Sequence, residues 1–266
     1  MKNHIFIAVA LTVLTAFLSS CKDKQPYESN ASILKKAITA AADNEEWENA
    51  KKLAFKAREQ DPKDPNARVM FALALEQCED LNRAIEEIKV ATSLDPSNFM
   101  ANYTQGRLLF KNEIYEDCPV PLEKAKEIKP KNSQVLLLLA RTYAILNNYN
   151  EAIKNYVEIA KLPEFKNSAE IYNELGVLFF KKKDYKRAVR FLNKAYSLDP
   201  KLPSLNLNLA VFWENLAKLY KKENSKKALT TAIKYYSVYE QLLATDPHSE
   251  TVRKTILAKI EKLKSE

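Results

Sequence analysis

The residues of this 266-residue chain whose types and positions could do chemistry are few: Cys21, Cys78, Cys118, His4, His248, and two arginines, Arg107 and Arg141, spaced by 34 residues. A thiol can be acylated, oxidised or bound to a metal. Two guanidinium groups brought side by side can fork onto a carboxylate or phosphate. The other common constellations are missing. There is no Cys-x-x-Cys, no His-Glu-x-x-His and no Gly-x-Ser-x-Gly. Phosphate-cradling loops need several glycines so that the backbone can approach the ligand, and only Gly106 and Gly176 exist. Carboxylate pairs such as Glu45 with Glu46, or Glu86 with Glu87, are adjacent, and adjacent residues on a helix point in different directions. His248 follows Pro247 at a helix junction and reads as a surface or capping residue. The sequence therefore predicts no catalytic centre, no metal site and no cofactor, and the chain does not read as an enzyme.

The elements that must position these residues follow from a period. Pro62, Pro96 and Pro130 are 34 residues apart, the length of a helix-turn-helix repeat. With the proline at position 32, units fall at 31–64, 65–98, 99–132, 133–166 and, after a two-residue slip, 169–202. Position 8 then reads Ile38, Ala72, Gly106, Ala140 and Gly176, and position 20 reads Ala50, Ala84, Cys118, Ala152 and Ala188. Small residues at both places let two helices of a hairpin approach closely. Position 11 (Ala41, Leu75, Leu109, Tyr143, Phe179) and position 24 (Ala54, Ile88, Leu122, Tyr156, Leu192) fill the space around the crossing.

This pattern resembles the tetratricopeptide repeat, most closely in the unit with Tyr172, Leu175, Gly176, Phe179, Ala188, Leu192, Ala195 and Pro200. The resemblance covers about 31 to 247. It departs from the family in unit four, where Glu164 stands at the proline position beside Pro163, and in the sixth unit, which fits only in its first helix. It implies an all-α solenoid of stacked helix hairpins in a right-handed superhelix, spanning 31–248 as five units plus one extended unit. In that family, positions 2, 5, 9 and 12 of each first helix line a groove for partner segments. Carried over, the groove would comprise Leu73, Met100, Tyr103, Arg107, Phe110, Leu137, Arg141, Asn173, Val177 and Phe180. Arg107 and Arg141 share position 9 of consecutive units. They would either grip an acidic group of a partner or form local ion pairs with neighbouring glutamates. The family's carboxylate clamp of lysines and asparagines is not matched.

The N-terminus sets the compartment. Lys2 precedes an apolar run from Ile5 to Leu18, too short to cross a bilayer, which takes roughly 20 helical residues. A basic start, a short apolar run and small residues describe a cleaved export signal over 1–20. Leu18-Ser19-Ser20-Cys21 resembles a bacterial lipobox, which implies lipidation of Cys21 and cleavage before it. Residues 21–30 would then be the lipidated cysteine and a polar tether. The first helix is expected near Ser32.

Removing the signal leaves 41 basic against 34 acidic residues, a net of +7. Those charges are interspersed, so they read as a solvated lysine-rich surface, and no nucleic-acid partner is expected. Cys78 and Cys118 read as free, buried thiols, with a disulfide left open. Pro119 and Pro121 would sit in the second helix of unit three, so that helix is expected to start late, near one of them. The longer turn before it reads equally as a contact loop or a tolerated irregularity. Beyond 203, Ser204–Lys222 and Ser225–Ala244 read as two longer helices packed through Trp213, Tyr220, Tyr235, Tyr236 and Tyr239. From 249 to 266, Val252, Ile256, Ile260 and Leu263 mark one face of a helix that would cap the open end.

These readings converge on a lipid-anchored scaffold in the bacterial cell envelope, facing the periplasm and favouring the outer membrane. It would bind unidentified envelope proteins in its groove and the membrane through its lipid. The alternative is an envelope lipoprotein that captures a glycan or peptide.

Overall fold

The computed structural model describes residues 46–244 and 246–265. The expected signal segment, Cys21, the tether and the first helix of unit one lie outside the described residues. Among those described, all regular structure is helical: α1 (Trp47–Gln60), α2 (Pro65–Gln77), α3 (Leu81–Leu94), α4 (Phe99–Lys111), α5 (Pro119–Ile128), α6 (Ser133–Ile145), α7 (Tyr149–Ala160), α8 (Ala169–Lys181), α9 (Tyr185–Leu198), α10 (Pro203–Ala217), α11 (Lys222–Leu243) and α12 (Glu250–Lys264). Neighbouring helices pair as hairpins and the hairpins stack, giving the expected all-α repeat architecture. The chain divides into two bodies, one ending at Leu138 and one beginning at Leu139.

Helix starts are written in short polar residues. Asp64 accepts a hydrogen bond from the Asn66 N–H, Asn98 from Ala101, Ser168 from Ile171 and Asp184 from Arg187, each supplying an acceptor that the first helical turn lacks. Helix ends are less ordinary. The first helix of four successive units closes through a residue with positive φ: Glu79 (62°), Glu113 (61°), Asn147 (57°) and Lys183 (60°). Each is position 15 of its unit, and in each the following N–H bonds back five residues, from Asp80 to Leu75, Ile114 to Leu109, Asn148 to Tyr143 and Asp184 to Phe179. This is the left-handed cap that usually takes glycine. Here the only two glycines serve elsewhere.

Position 4 of the first helices has a second recurrent role. Arg68, Asn102, Tyr172 and Asn206 each donate a side-chain hydrogen bond to a carbonyl six residues earlier, that of Pro62, Pro96, Lys166 and Pro200, at 3.0, 2.9, 3.1 and 2.9 Å. Three kinds of side chain, arginine, asparagine and tyrosine, thus satisfy the same orphan acceptor in the turn between units.

In the N-terminal body, Ala72, Leu75, Ala84, Ile88, Leu109, Leu122 and Ala125 are almost completely buried where α2 meets α3 and α4 meets α5. Gly106 lies against Leu122, which occupies the space a Cβ would need. α5 begins at Pro119, preceded by a 3₁₀ turn at Tyr115–Asp117, so both prolines fall in the first turn where a missing N–H costs little. The delayed start leaves a cleft of about 420 Å³ between α3, α4 and α5, walled by Lys89 and Lys124 as well as Glu116 and Asp117.

In the C-terminal body the core runs from Phe179, Ala188 and Leu192 to Leu205, Leu209, Phe212 and Leu216, with Trp213 and Tyr235 packed on it. A second cluster joins Ala210 and Tyr236 to Ile256, Ile260 and Leu263 of α12, so this final helix covers the end of the hairpin as expected. Two expectations need correction. α10 stops at Ala217 and is 15 residues long, so only α11, at 22 residues, is extended. No glycine or proline marks that stop. The chain reverses there because α11 must lie back along α10, and the Leu219 and Tyr220 N–H groups take the carbonyls of Leu216 and Ala217 in a turn. Tyr220 consequently stands exposed on that turn and does not pack the two helices.

Candidate functional site

The groove residues inferred from the repeat lie on the first helices α2, α4, α6 and α8. Leu73, Met100, Phe110, Leu137, Val177 and Phe180 are half-buried, Tyr103 and Asn173 are buried, and Arg141 is exposed. Half-buried apolar side chains at helical spacing give each body a partly apolar face that a partner segment can cover.

In the N-terminal body this face carries a charge cluster. Arg107 holds Glu76 in a two-pronged ion pair, with Nη1 2.6 Å from Oε1, and Lys111 Nζ stands 3.2 Å from the same oxygen. The Glu76 side chain is only 1% exposed. Burial pushes its carboxyl up, but the charge and hydrogen bonds of Arg107, joined by Lys111, outweigh that effect and hold it below the usual carboxylate range. The glutamate is therefore ionised at neutral pH. Position 12 of one unit thus neutralises position 9 of the next, and Arg107 takes the local ion pair rather than standing free. Tyr103 lies beside this pair, and burial raises its phenol.

In the C-terminal body, burial pushes the Tyr156 phenol up, and the nearby Arg141 opposes that shift. Asn173 Oδ1 accepts from the Asn208 amide at 3.0 Å, and Phe180 meets Phe212 edge-on with ring centroids 5.6 Å apart. These contacts tie α8 to α10, leaving Val177 half-buried between the two partnered residues.

A second buried carboxylate is structural. Glu214 accepts from Tyr236 Oη at 2.8 Å and Lys259 Nζ at 2.7 Å, and Arg253 holds Glu240 at 2.6 Å, so two ion pairs fix α12 against the last hairpin. Neither Cys78 nor Cys118 forms a disulfide; Cys118 is fully buried with its thiol directed at the Ile114 carbonyl, whereas Cys78 is half-buried. No group of three histidine, cysteine or acidic side chains among the described residues is placed to hold a metal. No described helix is long and apolar enough to cross a membrane.

The fold defines a protein of stacked helix hairpins. Residues 133–164 and 169–202 each match a family model described as tetratricopeptide repeat. Over 149 residues it is 25% identical to anaphase-promoting complex subunit 3 of Schizosaccharomyces pombe, an alignment covering 56% of this chain and 22% of that protein. It spans roughly a quarter, 22 to 27%, of the length of the curated relatives it matches. Among solved structures it is similar to YrrB, described as a tetratricopeptide repeat protein with an unusual peptide-binding site: TM-score 0.57, 22% identity, 71% of this chain and 95% of that one. It is also similar to PilW, described as a widely conserved type IV pilus biogenesis factor, with TM-score 0.58, 17% identity and coverage of 76% and 86%. At these identities the likeness shows the fold.

Proposed function

We propose that this protein is a lipid-anchored scaffold of the bacterial cell envelope that seats segments of other envelope proteins on the groove face of its first helices. The observation that carries the binding role is the half-buried apolar side chains at this position set in each body, Leu73, Met100, Phe110 and Leu137 in the N-terminal one and Val177 and Phe180 in the C-terminal one. Side chains half-covered by their own chain gain stabilisation when a partner completes the cover, at roughly 25 cal/mol per Å² of apolar area. Arg107 is neutralised by Glu76, so the N-terminal body offers its partner apolar contact rather than a free cation. Arg141 is exposed and lies near Tyr156 and Glu174, and its outer face is the groove cation we assign to an acidic side chain.

The anchoring half rests on sequence: Leu18-Ser19-Ser20-Cys21 after a short apolar run. Two or more acyl chains on such a cysteine hold a protein stably at a bilayer, where one gives only marginal binding. The experiment has two readings. Mass spectrometry of the N-terminal peptide from the native envelope should show acylated Cys21; an unmodified thiol would refute the anchor. Chemical crosslinking in the same envelope should join groove-face peptides to envelope proteins; crosslinks confined to the second helices would refute the groove.

A further inference from the structure

The whole net charge of the chain belongs to its C-terminal part. Residues 139–266 carry 23 basic and 14 acidic side chains, a net of +9, against −1 for residues 1–138 with 19 and 20, which together make the +8 of the chain. Much of that excess is concentrated in two turns. The α8–α9 turn holds Lys181, Lys182, Lys183 and Lys186, and the α10–α11 turn holds Lys218, Lys221, Lys222, Lys226 and Lys227. The two turns share one edge of the C-terminal body. Asn173 meets Asn208 and Phe180 meets Phe212, so α8 and α10 run in the same direction and their C-terminal ends lie together.

At the tip of the second turn every residue from 218 to 224 is exposed, including Leu219 at 59% and Tyr220 at 44%. Lys218 and Lys227 pair with Glu214 and Glu223, but Lys181, Lys182, Lys183, Lys221, Lys222 and Lys226 have no acidic side chain within ion-pair distance among the described residues. Lys181 stands over the Tyr149 ring and Lys182 donates to Asn150 Oδ1, but neither contact neutralises the charge, and the α10–α11 lysines Lys221, Lys222 and Lys226 lack even such contacts among the described residues. Lys222 sits in the first turn of α11, where the helix dipole disfavours a cation. An exposed leucine and tyrosine gain nothing from water.

We propose that this edge is a membrane-contact site that takes anionic lipid headgroups, with Leu219 and Tyr220 dipping into the interface while the lysines pair with phosphates. A tyrosine ring suits the boundary between headgroup and acyl chain, and long lysine stems let the charge reach the headgroups while the stem covers apolar surface. Each lysine near an anionic surface contributes in proportion to the local potential, which makes the contact additive and salt-sensitive. The apolar pair and the cations share a convex turn rather than a groove, a shape that meets a lipid surface more readily than it encloses an acidic peptide. The site uses none of the groove residues and does not depend on acylation of Cys21. It would orient the repeats relative to a bilayer, whichever way the chain is anchored.

The test is cosedimentation of the full chain, carrying Cys21→Ser so that no acyl chain contributes, with vesicles of phosphatidylcholine alone or with a third phosphatidylglycerol. The N-terminal run is flanked by Lys2, Lys22 and Lys24 and itself favours anionic vesicles, so the part of the difference that the triple variant below removes reports the basic edge. The expected result is binding to the anionic vesicles at least tenfold tighter than to the neutral ones and reduced at least fivefold by 0.5 M salt. Leu219→Ser/Lys221→Gln/Lys222→Gln, all exposed, should abolish most of that difference with an unchanged circular dichroism spectrum and melting temperature. Equal binding to both vesicles, or an anionic preference untouched by the triple variant, would overturn the proposal. So would a triple variant that keeps its vesicle binding but loses crosslinks to a protein. Loss of the groove crosslinks alone would count against the scaffold reading and leave this site standing.

Discussion

Gly176 on α8 and Leu192 on α9 meet so closely that a Cβ on the glycine would stand 2.7 Å from both Cγ and Cδ2 of the leucine. That contact is what fixes the spacing of the hairpin, and Leu192 is 1% exposed with no room to move aside. Gly176→Ala should therefore cost about 1–3 kcal/mol through overpacking, although alanine is the better helix former. In a Leu192→Ala background the same substitution should become neutral or stabilising by up to ~1 kcal/mol. Urea unfolding of the four variants in a double-mutant cycle measures the difference, and additive effects would show that the glycine is not there for this contact.

Position 15 offers a stabilising change. Lys183 holds φ 60° at the end of α8, a conformation that costs a residue with a Cβ ~1–2 kcal/mol. Lys183→Gly should stabilise by about 0.5–1 kcal/mol once the greater freedom of glycine in the unfolded chain is subtracted. Asn147→Gly should gain less, since asparagine tolerates this region. Thermal unfolding of both variants checks the order.

The Arg107–Glu76 pair predicts an acid dependence with a definite sign. The Glu76 carboxyl is held below its ordinary range in the folded chain, so the pair's contribution is fully present above the unfolded carboxylate value near ~4.3 and is lost as pH falls through the lower folded value. Glu76→Gln should flatten this part of the melting temperature against pH. Arg107→Met, which leaves a buried carboxylate with only Lys111, should destabilise by about 3–5 kcal/mol, and adding Glu76→Leu should recover much of it.

The two thiols should separate by access. Cys78 is half-buried and burial pushes its thiol up, whereas Cys118 is fully buried. Iodoacetamide on the native protein should label Cys78 slowly and Cys118 only after denaturant is added. Mass spectrometry of the tryptic peptides reads this, and equal labelling rates would mean that α5 opens readily.

Much of this architecture is legible in the residues themselves. The proline spacing and the small residues at positions 8 and 20 locate the hairpins, because two helices can cross closely only where neither side chain is large. Pro119 and Pro121 locate the late start of α5, because their missing N–H groups are tolerated only in a first turn. Other features leave no periodic trace. The position-4 donors Arg68, Asn102, Tyr172 and Asn206 share one task through three chemistries, and only asparagine recurs, in two units that are not adjacent. The left-handed caps at Glu79, Glu113, Asn147 and Lys183 lack the glycine that would announce them. The end of α10 at Ala217 carries no breaker, since the reversal is imposed by the packing of α11 and not by local preference.

The groove pair was accessible in principle. Glu76 stands 31 residues before Arg107, which is the step from position 12 of one unit to position 9 of the next, and opposite charges at that step face each other whenever the first helices stack. The groove as an apolar face follows from the pattern, but the charge of Arg107 cannot be assigned to a partner until its neighbour across the stack is counted.

The central claim, that partners lie on the first-helix face, is tested most directly by photo-crosslinking in the living envelope. A photoreactive phenylalanine analogue at Leu73, Leu137 or Val177, each half-buried on that face, should give discrete crosslinked protein bands, and the same group at the exposed second-helix positions Lys56 and Asn193 should give none. Bands from Lys56 and Asn193 with silence at the three groove positions would contradict the account.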